Sequence, residues 1–150
     1  MKVASFQPSG IPTHSRTQTQ HSRRDSNNLH SMREEFLAQF FEPNGKLRSE
    51  YQKISYPDGG EYIGQYQDFR SGKGIYSFPN KDSYMGTWKE DKFSGDGLYV
   101  YTNGERYQGK FLDGKKHGRG VYYYRSGAVY DGEWHKDRKH GFGIYNYPNG

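Results

Sequence analysis

The chain has 150 residues, no cysteine and a formal charge of +5, which leaves room for one domain and excludes disulfide and thiolate chemistry. Hydrophobic residues make up 31% and aromatics alone 17%, so aliphatic side chains are scarce and the apolar content is largely rings. Twenty glycines and fifteen tyrosines point to many short strands and turns instead of a conventional two-layer core.

Residues 1–29 are rich in Ser, Gln, Thr, His and Asn and bury too little surface to offset the entropy of ordering. They are expected to form a disordered basic tail. Lys2, Arg16, Arg23 and Arg24, offset by Asp25, give it much of the net positive charge, and the remaining residues are close to neutral. A folded part without a basic stripe argues against nucleic-acid binding. The tail shows no amphipathic pattern that would support a transit peptide, no apolar signal region, and Lys2 where myristoylation needs Gly. A cytoplasmic location is expected. Arg23-Arg24-Asp25-Ser26 has the look of a basophilic kinase site, which makes Ser26 a candidate phosphosite.

Residues 30–50 read as a short capping helix and linker. Ser31 stands at a capping position with Glu34 three residues on. Phe36, Leu37, Phe40 and Phe41 share a stripe, and Pro43 and Gly45 stop the helix. A helix this short needs a docking surface, and a cap on the first repeat is the expected one.

From about residue 51 onward the chain repeats. Tyr62, Tyr84, Tyr107 and Tyr130 recur every 22 or 23 residues, each followed two residues later by Gly64, Gly86, Gly109 or Gly132 and two further by Tyr66, Trp88, Phe111 or Trp134. Gly-x-Gly follows at 72/74, 95/97, 118/120 and 141/143, then alternating rings: Tyr76 and Phe78, Tyr99 and Tyr101, Tyr122 and Tyr124, Tyr145 and Tyr147. Four units thus begin near residues 60, 83, 106 and 129, behind a half repeat that includes Ile54 to Gly59. Strand alternation puts the rings and glycines of every unit on one face, with rings leaning over glycines of the neighbouring strand. The other face is polar, apart from an aliphatic column of Ile75, Leu98, Val121 and Ile144. Turns between units carry Pro57-Asp58-Gly59, Asn80-Lys81-Asp82, Asn103-Gly104 and Ser126-Gly127. The connections within units are expected to be longer, charged loops.

These units resemble the MORN repeat family, whose pattern is Tyr-x-Gly-x-Trp, a polar loop, then His-Gly-x-Gly and an aromatic strand ending in Asn-Gly or Asp-Gly. Tyr130-Asp131-Gly132-Glu133-Trp134 and His140-Gly141-Phe142-Gly143 carry the likeness most closely. Ser71 and Ser94 replace the histidine in the first two units, Lys81 replaces a turn glycine, and the loop after Tyr66 is one residue short. The resemblance implies an all-β array, a single-layer antiparallel sheet of MORN hairpins. It also implies a ciliary, radial-spoke-like or other cytoskeletal setting, though family members at membrane junctions and beside lipid kinases leave that choice open.

No nucleophile, base and orienting acid come together in the pattern. His117 and His140 occupy equivalent repeat positions, so they are read as structural, with no metal or cofactor expected. The chain is therefore read as a non-catalytic scaffold. Its expected partner surface is the ring face: Tyr84, Trp88, Tyr99, Tyr101, Tyr107, Phe111, Tyr122, Tyr124, Tyr130 and Trp134, receiving a helix or strand of another protein. The alternative is a membrane-surface module that places Lys115, Lys116, Lys136, Arg138 and Lys139 against acidic phospholipids. The strand around 143–147 is expected either to pair with a second chain or to be followed by further repeats.

Overall fold

The structure is a computed structural model that describes the backbone of residues 18–148 and the side chains of residues 28–148. Residues 1–17 of the tail, and the side chain of Ser26, lie outside that description. The elements are a helix α1 (Gln18–Ala38) and nine strands: β1 (Gln52–Ser55), β2 (Glu61–Gln67), β3 (Phe69–Ser77), β4 (Ser83–Lys89), β5 (Lys92–Val100), β6 (Arg106–Leu112), β7 (Lys115–Tyr123), β8 (Val129–His135) and β9 (Arg138–Asn146). The strands form one antiparallel sheet in sequence order, β1 to β9, as the repeat pattern requires. The half repeat is present as β1, whose Ile54 pairs with Tyr62.

Turns between units are identical in construction. Tyr56, Phe78, Tyr101 and Tyr124 each donate a backbone N–H to the residue four positions on, and accept one from Gly59, Lys81, Gly104 and Gly127. Connections within units are not the long loops expected. Glu90-Asp91, Asp113-Gly114 and Lys136-Asp137 are tight turns with both residues at positive φ, the geometry whose twist suits a two-residue hairpin. Asp68 alone joins β2 to β3, so the missing residue after Tyr66 is absorbed by the turn. The residues assigned to loops extend the strands instead. Each hairpin accommodates the extra length by a register shift just after Gly64, Gly86, Gly109 and Gly132. Opposite each shift Gly72, Gly95, Gly118 and Gly141 take positive φ, as β-bulges demand. Side chains at the shift then satisfy the freed backbone: Gln65 accepts from Lys73 N–H at 2.9 Å and Glu133 from Phe142 N–H at 3.0 Å.

The helix differs from expectation in extent and in seat. It begins at Gln18, so Ser31 lies inside it and caps nothing. It ends at Ala38, before Pro43, through a tightened last turn in which Phe40 N–H bonds Leu37 C=O at 3.0 Å. Phe40 and Phe41 therefore sit beyond the helix, and Phe41 bridges to Leu47. The helix stripe also does more than close one end of the array. Leu29, Met32, Phe36, Leu37 and fully buried Phe40 pack on Ile63, Ile75, Met85, Leu98 and Val100. The helix thus covers the non-ring face across β2 to β5. Farther along that face Arg106 lies 3.9 Å above the Tyr123 ring, Arg119 pairs with Asp131 at 3.6 Å, and Ile144 is exposed.

Candidate functional site

The ring face is built in two levels. At its base, the first tyrosine of each unit lies flat over a cross-strand Gly–Gly pair. Tyr62 covers Gly64 and Gly74, Tyr84 covers Gly86 and Gly97, Tyr107 covers Gly109 and Gly120, and Tyr130 covers Gly132 and Gly143. A Cβ at the second glycine would enter the tyrosine ring, so glycine is required there. Each of these hydroxyls donates to a carbonyl three residues ahead, at 2.6, 2.8, 2.8 and 3.2 Å for Tyr62, Tyr84, Tyr107 and Tyr130. The next unit's large ring then closes over the first. Tyr62 meets Trp88 edge to face at 5.6 Å, Tyr84 meets Phe111 at 5.1 Å, and Tyr107 meets Trp134 at 5.3 Å. The two indole N–H groups donate to Gly74 C=O at 3.0 Å and Gly120 C=O at 3.1 Å. Burial pushes the Tyr62, Tyr84 and Tyr107 hydroxyls well above the usual tyrosine range.

This arrangement divides the expected contact surface. Tyr84, Trp88, Tyr107, Phe111, Tyr130 and Trp134 are all buried, none above 7% exposure. They are core, and Phe111 in particular is sealed by Tyr84, Phe93 and Tyr107. Tyr99, Tyr101, Tyr122 and Tyr124 are half-buried and form the accessible level. They belong to a continuous row: Tyr56, Tyr76, Phe78, Tyr99, Tyr101, Tyr122, Tyr124, Tyr145 and Tyr147, with every adjacent pair of centroids between 4.5 and 5.9 Å.

Two sets of positions take packing roles that the sequence did not assign to them, although Lys116 and Lys139 are named there as candidate lipid contacts. The first is the residue two before each Gly-x-Gly: Arg70, Phe93, Lys116 and Lys139. Arg70 lies 4.8 Å over Trp88 and 5.0 Å over Tyr76. Lys116 lies 5.4 Å over Trp134, and Lys139 4.9 Å over Tyr130 and 5.1 Å over Tyr124. Phe93 fills the same place by stacking on Tyr84 at 4.0 Å. The following turn completes the first three: Asp91 pairs with Arg70 at 3.0 Å, Asp137 with Lys116 at 3.5 Å, and Gly114 N–H bonds Phe93 C=O. Burial would raise the Asp91 carboxyl, but hydrogen bonds from the Arg70 backbone and side chain outweigh it and hold the group below its ordinary value. The repeat offset was visible in the sequence, but three cations and one ring did not look like one position.

The second set is the acid two residues before the first tyrosine of the second and third units, Asp82 and Glu105; Gly60 and Ala128 stand there in the first and fourth. Tyr99 donates to Asp82 at 2.8 Å and Tyr122 to Glu105 at 3.0 Å. The same carboxylates cap the next turn through Thr102 N–H and Arg125 N–H. Burial first, then those bonds, push the Tyr99 and Tyr122 hydroxyls well above the usual range. Glu105 is held below its ordinary value, because its three donors outweigh the cost of burial.

The five cations of the membrane reading are likewise divided. Lys116 and Lys139 belong to the ring face, while Lys115, Lys136 and Arg138 are exposed at hairpin tips. His117 and His140 flank His135 in a surface row, with centroids 4.9 and 5.4 Å apart. Among the described residues, no group of three or more His, Cys, Asp or Glu side chains could hold a metal ion.

The MORN repeat family model matches residues 62–83, 84–106, 107–129 and 130–150. The chain belongs to the MORN repeat family. No curated protein matches it. The MORN matches begin at the four fully buried or nearly buried tyrosines, so the family's first position is the ring that needs the Gly–Gly floor. The MORN repeat is a non-enzymatic module, commonly one that binds proteins or membranes.

Proposed function

We propose that this MORN array is a protein-binding scaffold, acting in a ciliary or other cytoplasmic cytoskeletal assembly. It takes its partner along the half-buried ring row, centred on Tyr99, Tyr101, Tyr122 and Tyr124. The continuity of that row carries the reading: large rigid rings, partly exposed and pre-packed, offer contact area at little entropic cost. The membrane alternative is weaker because two of its five cations are engaged with rings. Affinity purification from native cells tests the proposal. Partners captured by the unmodified chain are expected to be lost from the Tyr101→Ala/Tyr124→Ala variant and kept by the Lys115→Ala/Lys136→Ala/Arg138→Ala variant. The opposite pattern, joined to co-sedimentation of the unmodified chain with anionic vesicles at physiological salt, would establish the membrane reading. The tagged chain is expected on cilia or cytoskeletal structures, and a diffuse distribution counts against that setting.

A further inference from the structure

The accessible ring row is periodic, and its period selects a ligand. β3, β5, β7 and β9 each contribute one ring, and the residue just past each strand's end contributes a second, two positions on; Tyr76 is the buried member of the row and the other seven are partly or fully exposed. Centroid separations within a pair are 4.6, 4.5, 4.6 and 4.7 Å, for Tyr76–Phe78, Tyr99–Tyr101, Tyr122–Tyr124 and Tyr145–Tyr147. Steps between strands are 5.7, 5.9 and 5.8 Å, for Phe78–Tyr99, Tyr101–Tyr122 and Tyr124–Tyr145. The pattern recurs every second strand, which is about 9.6 Å at ~4.8 Å per strand. A polyproline II helix completes a turn in three residues, about 9.3 Å. Three units therefore accumulate a mismatch of only ~1 Å. An α-helix presents the same face every seventh residue, about 10.5 Å, and drifts ~2.7 Å over that length. An extended strand repeats its face every ~6.7 Å and is out of step at the second ring pair.

Hydrogen-bonding capacity agrees with the period. Tyr99 and Tyr122 spend their hydroxyl hydrogens on Asp82 and Glu105. Tyr101 accepts from Lys116 Nζ at 3.5 Å, which leaves its own hydrogen for an outside acceptor. A polyproline II backbone has no internal hydrogen bonds, so its carbonyls are available to such donors. Charge adds a further constraint. Arg70 and Lys116 are paired with Asp91 and Asp137, whereas Lys139 lies over Tyr124, Tyr130 and Tyr145 and forms no ion pair among the described residues. A carboxylate on the ligand meets it.

We infer that the MORN array binds a proline-rich segment in polyproline II conformation, with proline at every third position along the ring row and an acidic residue at the Lys139 end. The inference rests on reading this row as a protein-contact surface. Its test uses the full chain and labelled synthetic peptides in fluorescence anisotropy. The probe is four Pro-Ala-Pro triplets followed by Glu-Glu. One control is a shuffled peptide of the same composition without the three-residue period, and another is an amphipathic helical peptide of equal length. The triplet peptide is expected to bind about tenfold tighter than the shuffled one, a difference of about 1.4 kcal/mol. Tyr101→Ala and Tyr124→Ala are each expected to weaken it about tenfold, and Tyr101→Phe less, since it keeps the ring. Changing Glu-Glu to Gln-Gln weakens binding to the unmodified chain but not to Lys139→Ala, the coupling a double-mutant cycle reads. If Tyr101→Ala does not fold by circular dichroism, the Tyr101→Phe and Lys139→Ala comparisons carry the test. Equal binding of triplet and shuffled peptides, or no binding of the triplet peptide, overturns the inference. In that event the row remains a protein-contact surface if the helical peptide binds in its place or native partners still depend on Tyr101 and Tyr124. If neither holds, both readings fail together.

Discussion

Lys81 shows how closely each repeat position prescribes its backbone. It occupies the place held by Gly59, Gly104 and Gly127 in the other turns, and it takes φ 75° where they take 94°, 89° and 92°. The left-handed region costs an L-residue roughly 1–2 kcal/mol, and part of that is returned because glycine is more flexible in the unfolded chain. Lys81→Gly is therefore expected to stabilise the fold by up to about 1 kcal/mol, and Gly104→Ala to destabilise it by about 1 kcal/mol. A Cβ at Gly104 would meet nothing within 4 Å, so its effect is conformational alone. Gly97→Ala is expected to cost more, about 1–3 kcal/mol, because its Cβ would press into Tyr84. Urea unfolding of the three variants checks the order; a destabilising Lys81→Gly would refute the argument.

At the scale of elements, the two faces of the sheet are held by different means. The ring face is held by aromatic stacking from one unit to the next. The other face depends on α1 and the residues that follow it, over β2 to β5. Phe40 anchors that contact: it is fully buried and packs edge to face on Phe36 at 5.3 Å and on Tyr51 at 4.7 Å. Phe40→Ala is expected to cost about 3–5 kcal/mol. Because repeat arrays couple mainly through neighbours, hydrogen exchange should accelerate first in α1 and β3–β5 and much less in β7–β9. Uniform acceleration along the sheet would contradict this. The strand order, the half repeat and the ring-bearing face were all legible in the sequence, because Tyr-x-Gly and Gly-x-Gly record the alternation directly. The tight turns within units were not. Asp113-Gly114 carries a hairpin signal, and Asp91 and Asp137 are ordinary turn residues, but Glu90 and Lys136 at positive φ are not, and their charge suggests a solvated loop. Nor was the true extent of α1 legible, since Ser31 and Glu34 imitate a helix start within a helix that has already begun.

At the scale of the whole molecule, the rings serve as both core and surface, and only the structure separates the two roles. Alternation assigns Tyr84 and Tyr99 to the same face without showing that one lies beneath the next unit's ring and the other above it. That distinction depends on stacking between units, which no single repeat contains. The same stacking makes the array vulnerable to alkali. Burial raises the Tyr62, Tyr84 and Tyr107 hydroxyls well above the usual range, and burial with carboxylate partners does so for Tyr99 and Tyr122. In the unfolded chain these groups ionise near pH 10. Above that pH the unfolded state gives up protons that the folded state retains, so stability falls as pH rises toward the folded values. Below pH 10 both states are protonated at these groups and their contribution is constant. The expected result is alkaline unfolding in which part of the tyrosinate absorbance appears together with the loss of the sheet's circular dichroism. Complete ionisation of every tyrosine while the sheet signal persists would show that the hydroxyls are not sealed beneath neighbouring rings, and would remove the two-level description of the ring face.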